Sequence, residues 1–281
     1  MKTLIASLLS LAAIVASVES FLFDHPEWND LRVTWGLNPL TKFTKQPRTV
    51  DDAKDQGFTL VGSSTCDGSG VYNGFAYAKN DDYSATLLYD INGYIAGIQL
   101  GITKQAAKDS GYPSEKLQPP FNLVHDRYVI TAYFVDPSKI CTDGRSKQSF
   151  DVEGTGTNLW LQNGTTPTEA VRVPKHQSDL ATTKWTEGKC FVTMGKHYWY
   201  NVQPDMECES FFPVFLLYNG GELNGFGWAL FADLNSDKFE HPAVSVIGSF
   251  MKKIPKCTSS IKTRLSTMHI YLTSTPLLNM C

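Results

Sequence analysis

Thr86-Leu87-Leu88-Tyr89-Asp90-Ile91-Asn92-Gly93-Tyr94-Ile95-Ala96-Gly97-Ile98-Gln99-Leu100 is the stretch on which the fold class turns. Two apolar runs rich in aromatic and branched side chains flank an Asn-Gly pair, the strongest short-range signal for an antiparallel hairpin. The same logic extends along the chain. Val214–Tyr218, a turn at Asn219-Gly220-Gly221 and Leu223–Phe231 read as a second hairpin. Tyr128–Phe134, Asn158–Gln162, Lys196–Val202 and Thr267–Thr273 read as further strands. In the last of these Met268, Ile270 and Leu272 fall on one face and His269 and Tyr271 on the other. Asn73-Gly74-Phe75 and Asn224-Gly225-Phe226 repeat the Asn-Gly-aromatic pattern of Asn92-Gly93-Tyr94. Each is expected to be a type I′ turn feeding an aromatic strand.

Helical signals are fewer. Thr49–Gln56 has a capping threonine and a stop at Gly57, and Thr103–Ser110 ends before Gly111. Pro242–Ile254 gives the clearest helical period, with Val244, Ile247, Met251 and Ile254 on one stripe, lysines in the last turn and Pro255 beyond. Strands outnumber helices without regular alternation. The expected class is therefore α+β: mainly antiparallel β with a few short helices, in a single disulfide-bonded domain over residues 21–281.

Residues 1–20, MKTLIASLLSLAAIVASVES, place Lys2 before an apolar run from Leu4 to Ala16 and end in small residues. That is the pattern of a secretory signal peptide. The run is shorter than the ~20 residues a membrane span needs, so no stable membrane insertion is expected. The 281-residue chain carries a net charge of −3, which gives no electrostatic footprint for nucleic acid. Its 42% apolar and 12% aromatic content suffices for a packed core and excludes a disordered chain.

Secretion turns the even count of cysteines into an expectation of disulfides. Cys66, Cys141, Cys190, Cys208, Cys257 and Cys281 are expected to pair as Cys66–Cys141, Cys190–Cys208 and Cys257–Cys281. The middle pair would close a loop of about 18 residues, worth roughly 3 kcal/mol on the chain-entropy model. Asn163-Gly164-Thr165 is the sole sequon and lies in a polar loop, so Asn163 is a glycosylation candidate.

Catalytic and metal motifs are absent. No nucleophile elbow, phosphate-binding loop, C-x-x-C or close histidine pair occurs, so no metal and no cofactor are expected. Carboxylates cluster at Asp81-Asp82, Asp205–Glu209 and Asp233–Glu240, and read as solvated acidic turns. Of the six histidines, His197 and His269 stand in aromatic strand contexts. Either could serve as a general base oriented by Asp205 or Glu207. The C-terminal half is dense in aromatics. Tyr198, Trp199, Tyr200, Trp228 and Tyr271, with Asn201 as a polar partner, are the candidate ligand-binding set.

The strings His197-Tyr198-Trp199-Tyr200-Asn201, Phe211–Tyr218 and Ser266–Tyr271, with the Tyr89–Gly97 hairpin, resemble a family of secreted invertebrate proteins. The resemblance implies secretion and one long domain, and carries no catalytic residue or cofactor with it. The expected function is binding of an unknown extracellular ligand, or a role as a matrix or secretion component. Two alternatives stay open: a secreted hydrolase-like enzyme built on His197, His269 and Asp205, and a secreted toxin or effector.

Overall fold

The computed structural model describes residues 27–36, 38 and 41–281. The signal-peptide reading falls on residues 1–20 and lies outside them. The described residues build two antiparallel sheets. The chain first lays down β1 (Arg32–Val33) and β2 (Thr44–Lys45). It then builds β3 (Phe58–Leu60), β4 (Phe75–Lys79), β5 (Asp82–Tyr89), β6 (Ile95–Thr103), β7 (Asn122–Val124), β8 (Arg127–Tyr133), β9 (Trp160–Gln162) and β10 (Ala170–Arg172). These eight form one sheet, in the order β10-β9-β8-β6-β5-β4-β3 with β7 also paired to β8. The second sheet follows as β11 (Trp185–Phe191), β12 (Gly195–Tyr200), β13 (Val214–Asn219), β14 (Glu222–Leu230) and β15 (Ser266–Tyr271). Its order is β11-β12-β13-β14-β15-β1-β2, so the two earliest strands close onto the last. The helices are short, four to seven residues: α1 (Val50–Asp55), α2 (Lys104–Ser110), α3 (Pro137–Ile140) and α4 (Lys147–Glu153). The mainly antiparallel class expected from the sequence is the one observed.

The sheets pack face to face. Leu87, Tyr89, Ile98, Leu100 and Ile130 of the first meet Leu216, Phe226, Trp228, Met268 and Ile270 of the second in one core. Phe134 and Phe226 meet edge-on at 6.3 Å across it. Both outer faces are also covered, which explains the unbroken apolar runs. Leu87 enters the central core while Leu88 enters a satellite cluster with Ile140 and Cys141. Likewise Leu216 faces inward while Phe215 and Leu217 face outward with Tyr271. A strand alternates its side chains, so burial of both faces needs apolar residues at every position.

The hairpin forms with Thr86 opposite Gln99 and Leu88 opposite Gly97. Its turn differs from the expectation. Only Gly93 has positive φ, and the Gly93 N–H donates to the Asp90 carbonyl at 2.9 Å. The connection is a wider loop in which the Asp90 side chain accepts from the N–H groups of Asn92 and Tyr94, replacing a two-residue type I′ turn. Asn224-Gly225 is no turn at all: it lies inside β14. The reversal there is Gly220-Gly221, both at positive φ, as type I′ requires. Both capped helices form where read, with Thr49 accepting from Asp52 N–H and Thr103 from Ala106 N–H.

The Pro242–Ile254 helix does not form. A 3₁₀ segment covers Val244–Ser249 only. Ile247 and Met251 do face the sheet, but Ile254 is exposed. The backbone beyond the segment is taken by strand-like pairing: Met251 bridges to Gly188, and the Lys189 N–H donates to the Phe250 carbonyl at 2.8 Å. The same carbonyl also accepts from the Trp199 indole N–H at 3.3 Å, so both of its lone pairs are engaged by the sheet and none is left for a helix.

The disulfides are Cys66–Cys141, Cys190–Cys281 and Cys208–Cys257, so one of the three expected pairs forms as read and two are corrected. Cys190 lies opposite Lys196 at one end of the β11–β12 hairpin, whereas Cys208 follows the opposite end, where Trp185 meets Tyr200. Antiparallel strands carry sequence neighbours apart, here by about 17 Å for five residues. No cysteine is free among the described residues, and none of their helices is long and apolar enough to cross a membrane.

Candidate functional site

The outer face of the second sheet carries the site. Register aligns Trp199, Phe215, Gly227 and His269 in one row across four strands. His197, Leu217, Gly225 and Tyr271 form the next row. The two glycines leave space above β14, and Phe215 lies over Gly227, where a Cβ would sit 2.2 Å from its ring. Strands three apart stand about 14 Å from each other, yet the His197 and His269 rings approach to 6.3 Å because both lean over this gap, each against Phe215. The 3₁₀ segment and the chain from Glu240 to Leu265 roof the space. The result is a cavity of about 320 Å³ lined chiefly by aromatic and aliphatic side chains, with His197, His269 and Glu240 among them.

The carboxylate beside His269 is Glu240. Its backbone pairs both ways with Thr267, at 2.8 and 2.9 Å, which fixes it to β15 two residues from His269. Its Oε2 lies 3.2 Å from His269 Nδ1 and accepts from the Thr267 hydroxyl at 3.1 Å. Its Oε1 accepts from the Trp35 N–H at 2.5 Å. Trp35 is held by two threonines in the left-handed region. Thr34 has φ 75 and Thr193 has φ 73, and the Trp35 indole N–H donates to Thr193 Oγ1 at 2.9 Å. Each such conformation costs a β-branched residue about 1–3 kcal/mol, so the fold holds Trp35 at the cavity against local preference.

His197 is fully buried, and its Nδ1 lies 3.1 Å from the Gly195 carbonyl and 3.3 Å from that of Lys189. Carbonyls only accept, so Nδ1 carries the proton and Nε2 the lone pair. Burial, and then the neighbouring His269, push its pKa down to about 3. It is a neutral imidazole at physiological pH. Neither histidine's Nε2 has a hydrogen-bond partner among the described residues.

The other sequence candidates scatter. Asp205 and Glu207 are exposed and lie outside the cavity, Glu207 being paired with Lys116. Of the aromatic set only Trp199 lines the cavity. Tyr198 and Trp228 point into the core between the sheets. Tyr200 packs against Trp185 and Phe212, and Asn201 is exposed. Tyr271 is buried on the cavity's sheet face but outside its lining, its hydroxyl unpartnered. Asn163 is exposed after β9. Glu240 escaped notice because it ends an acidic run that reads as solvated, and only the pairing with Thr267 turns it inward. Among the described residues no group of three or more His, Cys, Asp or Glu could hold a metal ion. No protein-family model, curated protein or solved structure matches this chain.

Proposed function

We propose that the protein is a secreted, disulfide-stabilised binder of a small apolar ligand, held in the cavity roofed by Glu240–Leu265. The observation that carries this reading is the cavity itself: about 320 Å³, aromatic-walled, with the imidazoles of His197, His241 and His269, the Glu240 carboxylate and the Thr267 hydroxyl among its polar groups. Few polar groups converging in an apolar cleft are the usual make-up of a small-molecule site. Three disulfides fit an oxidising, extracellular setting. The test is titration with the fluorescent hydrocarbon amine N-phenyl-1-naphthylamine. Saturable uptake near one equivalent is expected, reduced at least about tenfold by Val246→Trp, which fills the exposed side of the lining. Absence of saturable uptake, or uptake indifferent to that substitution, overturns the reading.

A hydrolase is the second reading, favoured by the 3.2 Å His269–Glu240 contact. A carboxylate-held imidazole with an unpartnered Nε2 is the arrangement of a general base. No serine or cysteine lines the cavity, and its one lining hydroxyl, Thr267, already donates to Glu240. Water would therefore be the nucleophile. Turnover of 2-naphthyl acetate lost in His269→Gln would favour this reading. Equal rates in wild type and variant would remove it.

A further inference from the structure

We infer that the ligand is a neutral aromatic or polycyclic molecule carrying a hydroxyl, which donates a hydrogen bond to Nε2 of His197. The inference rests on the ligand-binding reading above and narrows its chemistry. The tautomer of His197 sets what a ligand must bring. His197 Nδ1 lies against two backbone carbonyls, so its proton is fixed there, and burial keeps the ring neutral. The remaining nitrogen can only accept. An unpaired acceptor in an apolar cavity favours a ligand that brings a donor, since a site built to pair with a hydroxyl discriminates strongly against analogues lacking one.

Charge narrows the class further. No lysine or arginine lines the cavity, its three histidines each already set Nδ1 against a carbonyl or carboxylate, and Glu240 supplies a negative charge, so an anion is disfavoured. A cation would need a free carboxylate. Glu240 already takes hydrogen bonds from Trp35 N–H and the Thr267 hydroxyl, and faces His269 Nδ1. Trp199, Phe215, Phe231 and Phe250 offer flat apolar walls suited to a ring system.

The experiment is calorimetric titration of the intact, disulfide-bonded protein with five compounds on one ring frame. These are naphthalene, 2-methoxynaphthalene, 2-naphthol, 2-naphthoate and 2-naphthylmethylammonium. The expected order puts 2-naphthol at least about tenfold tighter than naphthalene and 2-methoxynaphthalene, with both ions weaker than 2-naphthol. The methyl ether keeps the oxygen and loses the donor, so it isolates the hydrogen bond. Equal binding of the ether or the hydrocarbon, or tightest binding of either ion, overturns the inference while leaving a ligand-binding cavity in place. Failure of all five to bind overturns the ligand-binding reading with it. His197→Phe should remove the difference, so that 2-naphthol and naphthalene bind this variant equally. A preference for 2-naphthol that survives this substitution overturns the inference. The wild-type series decides the question by itself if that variant does not fold.

Discussion

At the scale of single residues, His197 and Glu240 set the character of the site. His197 was identifiable in the sequence as a strand histidine among aromatics, because period-two alternation places it beside Trp199 on one face. Its neutrality was not legible, since that depends on carbonyls of Gly195 and Lys189 and on the burial the roof provides. Its folded-state pKa of about 3 lies below the ordinary imidazole value. Between the two values the unfolded chain binds a proton that the folded protein refuses, so stability falls as pH drops from about 6.5 toward 3 and is unaffected by this group above that range. Urea unfolding at pH 7 and pH 5 should show the effect. The wild type is expected to lose about 2 kcal/mol more over that interval than His197→Phe. Identical losses would mean that His197 is protonated in the folded state. Asp90, raised by its own burial, acts with the opposite sign nearer the acid end and is common to both proteins.

At the scale of elements, Gly227 of β14 makes room for the Phe215 ring, which lines the cavity. Gly225 and Gly227 stand where a sheet normally presents side chains, and in the sequence Gly225 looks like a turn glycine. Their role depends on the neighbouring strands. A Cβ on Gly227 would sit 2.2 Å from the Met268 carbonyl oxygen, which cannot move without breaking the β14–β15 ladder. Gly227→Ala should therefore lower stability by about 2 kcal/mol or more, read as a shift in denaturant midpoint at unchanged slope. Gly248→Ala serves as the contrast. Its added Cβ would meet only Ile254 at 3.4 Å. A change within about 1 kcal/mol is expected there, with no gain of helix by circular dichroism. Gain of helix would show that local propensity, and not the capture of the Phe250 carbonyl by β11, sets the shape of the roof.

At the scale of the whole molecule, the disulfides join distant parts of the fold. Cys190–Cys281 spans 91 residues and pins the tail to edge strand β11. Cys208–Cys257 spans 49 and ties the roof to the loop after β12. On the chain-entropy model each is worth about 4–5 kcal/mol. Non-reducing peptide mapping should recover these two pairs with Cys66–Cys141, and the double substitution Cys190→Ser, Cys281→Ser should cost about 4 kcal/mol in unfolding free energy. Recovery of a Cys190–Cys208 peptide would contradict the sheet register itself, since those residues flank opposite ends of one hairpin.

The sequence by itself determined strands β5, β6, β8, β9 and β12–β15, both capped helices and the antiparallel class, because apolar patterning, the Gly220-Gly221 reversal and threonine caps are local effects that act within a few residues. It also located His197 and His269 on strands. What only the tertiary structure decided is everything that joins residues far apart: two of the three cysteine pairings, the unwinding of the Pro242–Ile254 period, and the meeting of Trp35, His197, Glu240 and His269 around one cavity. The physical reason is the same in each case. A backbone carbonyl, a thiol or a carboxylate takes the partners that the fold brings to it, and in a sheet that seats its first strands beside its last those partners come from outside its own stretch of chain.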